Sequence, residues 1–258
     1  MRIVIKVGTS TLAHQTGCMN IRRVEALCRI LSDLKNAGHE VILVSSGAIG
    51  MGVGKLSLKE RPKDIPTKQA AAAVGQCELM YTYDKLFQEY HHTVAQILLT
   101  GSDFKRRDRY RNFQNTMRRL LELQVLPIIN ENDTIATDEI KVGDNDTLSA
   151  MVAVGVNAEL LVLMSDIDGL YTADPHQDPS AQLIPEVHEL TPEIMALAGG
   201  EGSSLGTGGM KTKLRAAEIC GEQGCDMVIL NGSKPELLYD LFEGKSVGTR
   251  FFGRKVEA

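Results

Sequence analysis

The chain has 258 residues, 43% of them hydrophobic and 24% charged, enough for a large domain with a buried core that needs no disulfide or metal staple, and too apolar to be disordered. Its 28 basic and 33 acidic side chains leave a formal charge of −5, which argues against a broadly cationic surface for nucleic acid or anionic membranes. The cysteines at 18, 28, 77, 220 and 225 form no C-x-x-C pair and the histidines no H-E-x-x-H, so reduced thiols and no dedicated transition-metal site are expected.

The first predicted strand covers 3–7 (Ile-Val-Ile-Lys-Val) and begins too early for a charged-then-apolar leader. No apolar run approaches the ~20 residues of a membrane span, so a cytoplasmic protein without a membrane partner is expected. From 21 to 35, Val24, Leu27, Leu31 and Leu34 repeat at the spacing of one helical face, and Asn36-Ala37-Gly38 supplies a stop. Residues 40–44 contain the continuous apolar run Val41-Ile-Leu-Val44, which suits a strand buried on both faces. Helix is predicted for 67–86, strand for 93–99, helix for 108–123 and strand for 125–129. Helix 146–154, strand 160–164, helix 211–222 and strand 226–230 complete the series.

Alternating strands and crossover-length helices predict an α/β fold, a three-layer αβα sandwich around a mainly parallel open sheet. No internal repeat or tether interrupts the chain, and the glycine-rich stretch 199–209 is the nearest approach to a break between two lobes.

In open α/β sheets ligands gather beyond the carboxyl ends of the strands. Those positions hold Lys6-Val-Gly8-Thr9-Ser10, Ser45-Ser46-Gly47-Ala48, Asn130-Glu131-Asn132-Asp133 and Ser165-Asp166-Ile167-Asp168. Lys141-Val-Gly-Asp144-Asn145-Asp146 precedes one helix, and Gly206-Thr207-Gly208-Gly209-Met210-Lys211-Thr212-Lys213 precedes another. Taken singly, these are turns, caps and solvated loops. Taken together, glycine-rich junctions that bare backbone N–H groups, two of them carrying lysine, point to a phosphate held between them.

Other patterns fail on context. Gly244-Lys245-Ser246 lacks the glycine of a P-loop, because Tyr239 stands there. Gly202-Ser203-Ser204-Leu205-Gly206 fits G-x-S-x-G but follows no strand. Gly50-Met-Gly52-Val-Gly54 lacks dinucleotide spacing, and the basic run from Lys105 to Arg111 is interrupted by Asp108 and has no aromatic platform for nucleic acid.

These segments, together with Asp168-Gly-Leu-Tyr-Thr-Ala-Asp-Pro175, resemble the amino acid kinase family, and within it the branch that phosphorylates glutamate. The resemblance runs from the first strand to about Thr249, and it implies transfer of a phosphoryl group from ATP, with Mg2+, to the γ-carboxylate of L-glutamate, the first step of proline biosynthesis. It implies that Lys6 and Lys213 neutralise the phosphoryl oxygens from opposite sides while Asp146 holds the two lysines. Ser46, Gly47, Asp133, Asp144 and Asn145 match glutamate-binding positions. Gly8, Ser165, Asp166, Thr207, Gly208, Gly209, Met210, Lys211, Thr212 and Lys213 match the nucleotide site, although Lys211 stands where relatives carry a small polar residue. A single kinase domain is expected, with the glutamate lobe over about 1–150 and the ATP lobe over about 151–258. No further C-terminal module is expected. Feedback inhibition by proline and a homo-oligomer, dimer or tetramer, are further implications. The competing readings are another carboxylate or carbamate acceptor, or an amino-acid sensor that has lost its chemistry.

Overall fold

The computed structural model describes residues 1–14, 18–135, 145–175, 177–198 and 209–254. The predicted apolar runs become β1 (Arg2–Val7), β2 (Glu40–Val44), β3 (Val94–Leu99), β4 (Leu126–Glu131) and β5 (Leu160–Ser165). A small hairpin, β6 (Leu170–Tyr171) and β7 (Leu183–Ile184), comes next, followed by β8 (Glu186–Val187), β9 (Asp226–Asn231) and β10 (Thr249–Phe251). The helices are α1 (Thr9–Leu12), α2 (Ile21–Asn36), α3 (Ala48–Lys55), α4 (Ile65–Gln88) and α5 (Gly101–Lys105). They continue as α6 (Arg107–Glu122), α7 (Asn145–Gly155), α8 (Pro192–Ala196), α9 (Met210–Gly221) and α10 (Leu237–Phe242).

Eight strands form one sheet in the order β3-β4-β2-β1-β5-β9-β10-β8. Its pairings are parallel except where β10 runs antiparallel to β9. Side chains alternate across a strand, and the two cores follow that parity. Ile3, Ile5 and Val7 of β1 pack with Leu27 and Leu31 of α2 and Leu79 and Phe87 of α4. Val4 faces the other way, among Phe113 and Met117 of α6, Leu148 and Val152 of α7, and Leu214 and Ala217 of α9. The expected three layers are therefore present.

Parity also places the first lysine. Lys6 lies on the Val4 side at the carboxyl end of β1, level with Val44 of β2 and Leu163 of β5. It therefore emerges between α7 and α9, not among the α2 and α4 side chains. Long helices begin where the sequence supplies caps: Asn20 accepts from Arg23 N at 3.2 Å ahead of α2, and Asp64 accepts from Thr67 N at 2.9 Å ahead of α4.

Helix α3 has no counterpart among the predicted elements. Three of its eight residues are glycine, a composition that reads as loop. Two close approaches explain it. A Cβ at Gly52 would lie 1.8 Å from Ala71 O of α4, and one at Gly75 of α4 would lie 1.8 Å from Ala48 O. The two helices interlock backbone to backbone, and only glycine at each crossing allows it. At the head of α3, Gly47 adopts φ +96°, the left-handed region that lets the chain turn sharply out of β2.

Candidate active site

The carboxyl edge of the sheet carries two polar clusters, and α7 supplies one residue to each. Asp146, the second residue of α7, is fully buried. Its Oδ1 lies 2.7 Å from Lys6 Nζ and its Oδ2 lies 3.0 Å from Lys213 Nζ. Both lysines are buried, at 5% and 3% exposure. Lys213 lies on the same buried stripe of α9 as Ala216, Ala217 and Cys220. Burying three charges is unfavourable unless they pair closely, and a carboxylate in the first turn of a helix is favoured by the helix dipole. Thr212 Oγ1 stands 3.1 Å from Asp146 Oδ2 and 2.8 Å from Gly209 O, joining the start of α9 to the same carboxylate.

Asn145, one residue earlier, turns to a neutral cluster. Its Nδ2 is 2.6 Å from Ser45 O, 2.8 Å from Ser46 Oγ and 2.9 Å from Asn130 Oδ1. Asn130 also donates from Nδ2 to Gln76 Oε1 of α4 at 2.8 Å and accepts from Glu131 N at 2.9 Å. Ser45 Oγ pairs with the buried Tyr83 hydroxyl at 2.9 Å. The turn beyond β4 is pinned to β3, with Asn132 N donating to Leu99 O at 2.7 Å. This turn carries Asp133.

Asp133 and Glu131 sit half-buried at this end of the site. Loss of hydration raises the Asp133 carboxyl above its usual range, and the Arg61 guanidinium pulls it back. Burial, with a smaller contribution from Asp133, pushes Glu131 up to about 7. Both groups resist ionisation more than a carboxylate in water does.

On the other side of β1, Ser165 Oγ donates to Asp166 Oδ1 at 3.0 Å, and Gly232 N donates to Ser165 O at 2.6 Å. Asp168 accepts from Asn231 Nδ2 at 2.9 Å and from the Tyr171 hydroxyl at 3.3 Å, so the loops after β5 and β9 are tied together. Gly209 and Met210 open α9 toward this edge, while the Lys211 side chain is exposed beside them. The N–H of Gly8 donates to Met164 O at 3.4 Å. It extends the β1–β5 ladder and does not stand free for a phosphate. What Gly8 leaves open is space: a Cβ there would lie 3.7 Å from Lys6 Nζ.

Of the residues singled out from sequence, Lys6, Ser46, Gly47, Asn145, Asp146 and Lys213 come together, with Asp133 at one end and Ser165, Asp166, Gly209, Met210 and Thr212 at the other. Asp144, Thr207 and Gly208 lie outside the described residues. Sequence reading missed Gln76 and Tyr83, which occupy one face of α4 in an apolar context without a motif. From sequence Asn130 reads only as part of the loop after a strand ending at Ile129, whereas the structure includes it in β4.

Among the described residues no group of three or more His, Cys, Asp or Glu side chains could hold a metal, and both Asp146 oxygens face amines. Magnesium at nucleotide sites is commonly held by one or two carboxylates together with the substrate phosphates, and these two oxygens are already engaged by the lysines. No described helix is long and apolar enough to cross a membrane.

Residues 1–231 match the model of the amino acid kinase family. The glutamate 5-kinase of Clostridium tetani is 57% identical over 249 residues, covering 96% of this chain and 93% of that protein. The glutamate 5-kinase of Carboxydothermus hydrogenoformans is 52% identical over 255 residues, covering 98% of this chain but 68% of its own greater length. Among solved structures, carbamate kinase from Giardia lamblia bound to AMP-PNP superimposes with a TM-score of 0.69 at 18% identity, covering 98% of each chain.

Proposed function

The chain belongs to the amino acid kinase family, and from that premise we propose that it transfers the γ-phosphoryl group of ATP to the γ-carboxylate of L-glutamate, giving γ-glutamyl phosphate, the first step of proline biosynthesis. The observation that carries the reading is the meeting of Lys6 and Lys213, from opposite ends of the chain, on the single buried carboxylate of Asp146.

The acceptor carboxylate, with a free pKa near ~4.3, is already ionised at neutral pH and needs no general base. The obstacle is repulsion between that anion and the triphosphate, and charge spread over the phosphoryl oxygens as it transfers. Two ammonium groups fixed before the reaction begins answer it, because they need no reorganisation when charge develops. Asp146 keeps both in place and separates them. Magnesium, arriving on the phosphates, supplies further neutralisation; none of the described side chains is assigned to hold it.

The neutral cluster suits the acceptor. Asp133, when ionised, pairs with the α-ammonium of glutamate, beside the Asn145 carbonyl oxygen. Ser46 and the first N–H groups of α3 behind Gly47 suit the α-carboxylate. Ser165, Asp166 and the start of α9 from Gly209 to Thr212 form the nucleotide side, with Thr207 and Gly208 preceding it in sequence. The glutamate half therefore falls in about 1–150 and the ATP half in about 151–258. The proposal includes the proline feedback, homo-oligomeric state and cytoplasmic location implied by the resemblance.

Purified protein given ATP, magnesium and L-glutamate should release ADP and an acyl phosphate trapped by hydroxylamine. Turnover with aspartate, acetylglutamate or carbamate but not with glutamate overturns the choice of acceptor. Glutamate binding by calorimetry without turnover overturns the kinase assignment.

A further inference from the structure

Gln76 lies midway along α4, 8% exposed and outside every segment the sequence motifs mark. A primary amide has one accepting and one donating end, so each bond it makes fixes a direction. Asn130 Nδ2 donates to Gln76 Oε1 at 2.8 Å, while Asn130 Oδ1, which accepts from Glu131 N at 2.9 Å, faces the opposite way. There it accepts from Asn145 Nδ2 at 2.9 Å. The Asn145 amino group lies within hydrogen-bond distance of Asn130 Oδ1, Ser45 O and Ser46 Oγ, so its two N–H bonds are shared among these three acceptors.

We propose that Gln76 is a positioning residue of the acceptor half-site, closing the buried amide chain Gln76–Asn130–Asn145 whose polarity Glu131 N and Ser45 O set, and so fixing where the Asn145 side-chain amide meets an α-ammonium group. The inference rests on the reading of Asn145 as a glutamate contact. Without an acceptor at Gln76, the Asn130 amino group is buried without a partner in α4. Asn130 cannot answer by rotating, because Glu131 N already donates to its Oδ1 at 2.9 Å and Ser45 O holds the Asn145 amino group at 2.6 Å; it shifts within its site instead, and the Asn145 amide shifts with it. The bond of Gln76 to Asn130 places it in the neutral cluster, so its influence is expected at the amino-acid end.

The test compares Gln76→Met, which keeps the length and removes the acceptor, with Gln76→Glu, which keeps an acceptor in place, by steady-state kinetics on the full chain. Gln76→Met should raise KM for glutamate about tenfold, the effect of one unsatisfied buried hydrogen bond, with KM for ATP within about twofold of the parent and kcat little changed. Gln76→Glu should restore KM for glutamate to within about threefold. Should Gln76→Met fail to fold, Gln76→Lys, which offers donors only, carries the same expectation. A parallel rise in both KM values, no rise in either, or a Gln76→Glu variant as impaired as Gln76→Met would overturn the proposal. A parent enzyme that makes no acyl phosphate from glutamate would instead refute the assigned reaction, so the two failures are distinct.

Discussion

Asn145 and Asp146 are neighbours in sequence at the start of one helix, yet they serve unlike surroundings. Asp146 sits between two buried ammonium groups, where Coulomb forces at about 3 Å dominate. Asn145 sits among a serine hydroxyl, a backbone carbonyl and another amide, where direction matters and net charge does not. Successive residues on a helix point about 100° apart, so α7 divides the edge of the sheet into a half that manages charge and a half that reads shape. The contrast teaches that the two halves should fail in different ways.

The largest effect is expected at the charged half. Asp146→Asn removes the carboxylate between two buried ammonium groups, a change that typically destabilises by about 3–5 kcal/mol. For a chain of this size that lowers the melting temperature by roughly 6–20 °C. Thermal melts with Asn145→Ala alongside sharpen the comparison, because losing neutral hydrogen bonds costs about 1–3 kcal/mol. Equal losses would mean that the two halves do not differ in kind.

Kinetics separates them next. Lys213→Ala should lower kcat by about 10²–10³-fold, as removal of one preorganised charge donor does elsewhere, with KM for glutamate changed less than about threefold. A fall in kcat below tenfold would remove Lys213 from transition-state stabilisation. Asn145→Ala should show the reverse pattern, with KM for glutamate raised about tenfold to a hundredfold, as for a hydrogen bond to a charged group, and kcat less affected.

The smallest effect lies at the rim of the neutral half and depends on pH. The folded state holds the Glu131 proton up to about 7, whereas an unfolded chain releases it near ~4.3. Folding therefore favours the protonated form, and stability falls as pH rises from the lower value through the higher. Glu131→Gln should melt a few degrees above the parent at pH 8 and level with it near pH 4. A gain independent of pH would assign the effect to packing. By the same sign, raised Asp133 should make KM for glutamate climb on the acid side while KM for ATP stays level.

The legible parts of this molecule were those where local pattern and final environment agree. The buried strands were readable because an unbroken apolar run such as Val41-Ile-Leu-Val44 has no other stable place. Lys6 and Lys213 were readable because a lysine ending an apolar strand or entering a helix beside glycines has an anion-binding rationale. Helix α3 was not, since its glycines disfavour helix locally and are explained only by the backbone of α4 beside them. Nor was Gln76, whose partner stands 54 residues away and whose own neighbourhood, Ala-Val-Gly-Gln-Cys, offers no chemical pattern. Strands β8 and β10, two and three residues long, are set by pairing with neighbours and not by their own composition.

The crossing of α3 and α4 bears on any attempt to engineer a sturdier variant. Exchanging glycine for alanine inside a helix usually gains about 1 kcal/mol. At Gly50 the new methyl would meet Thr9 Cγ2 at 3.7 Å, a comfortable distance. Two positions later, at Gly52, the identical methyl would fall inside the carbonyl of Ala71 and prise the helices apart, dragging the Ser46 turn away from the residues of α4. One mutation type, applied twice within a single helix, should thus strengthen the molecule at the first position and wreck its acceptor pocket at the second.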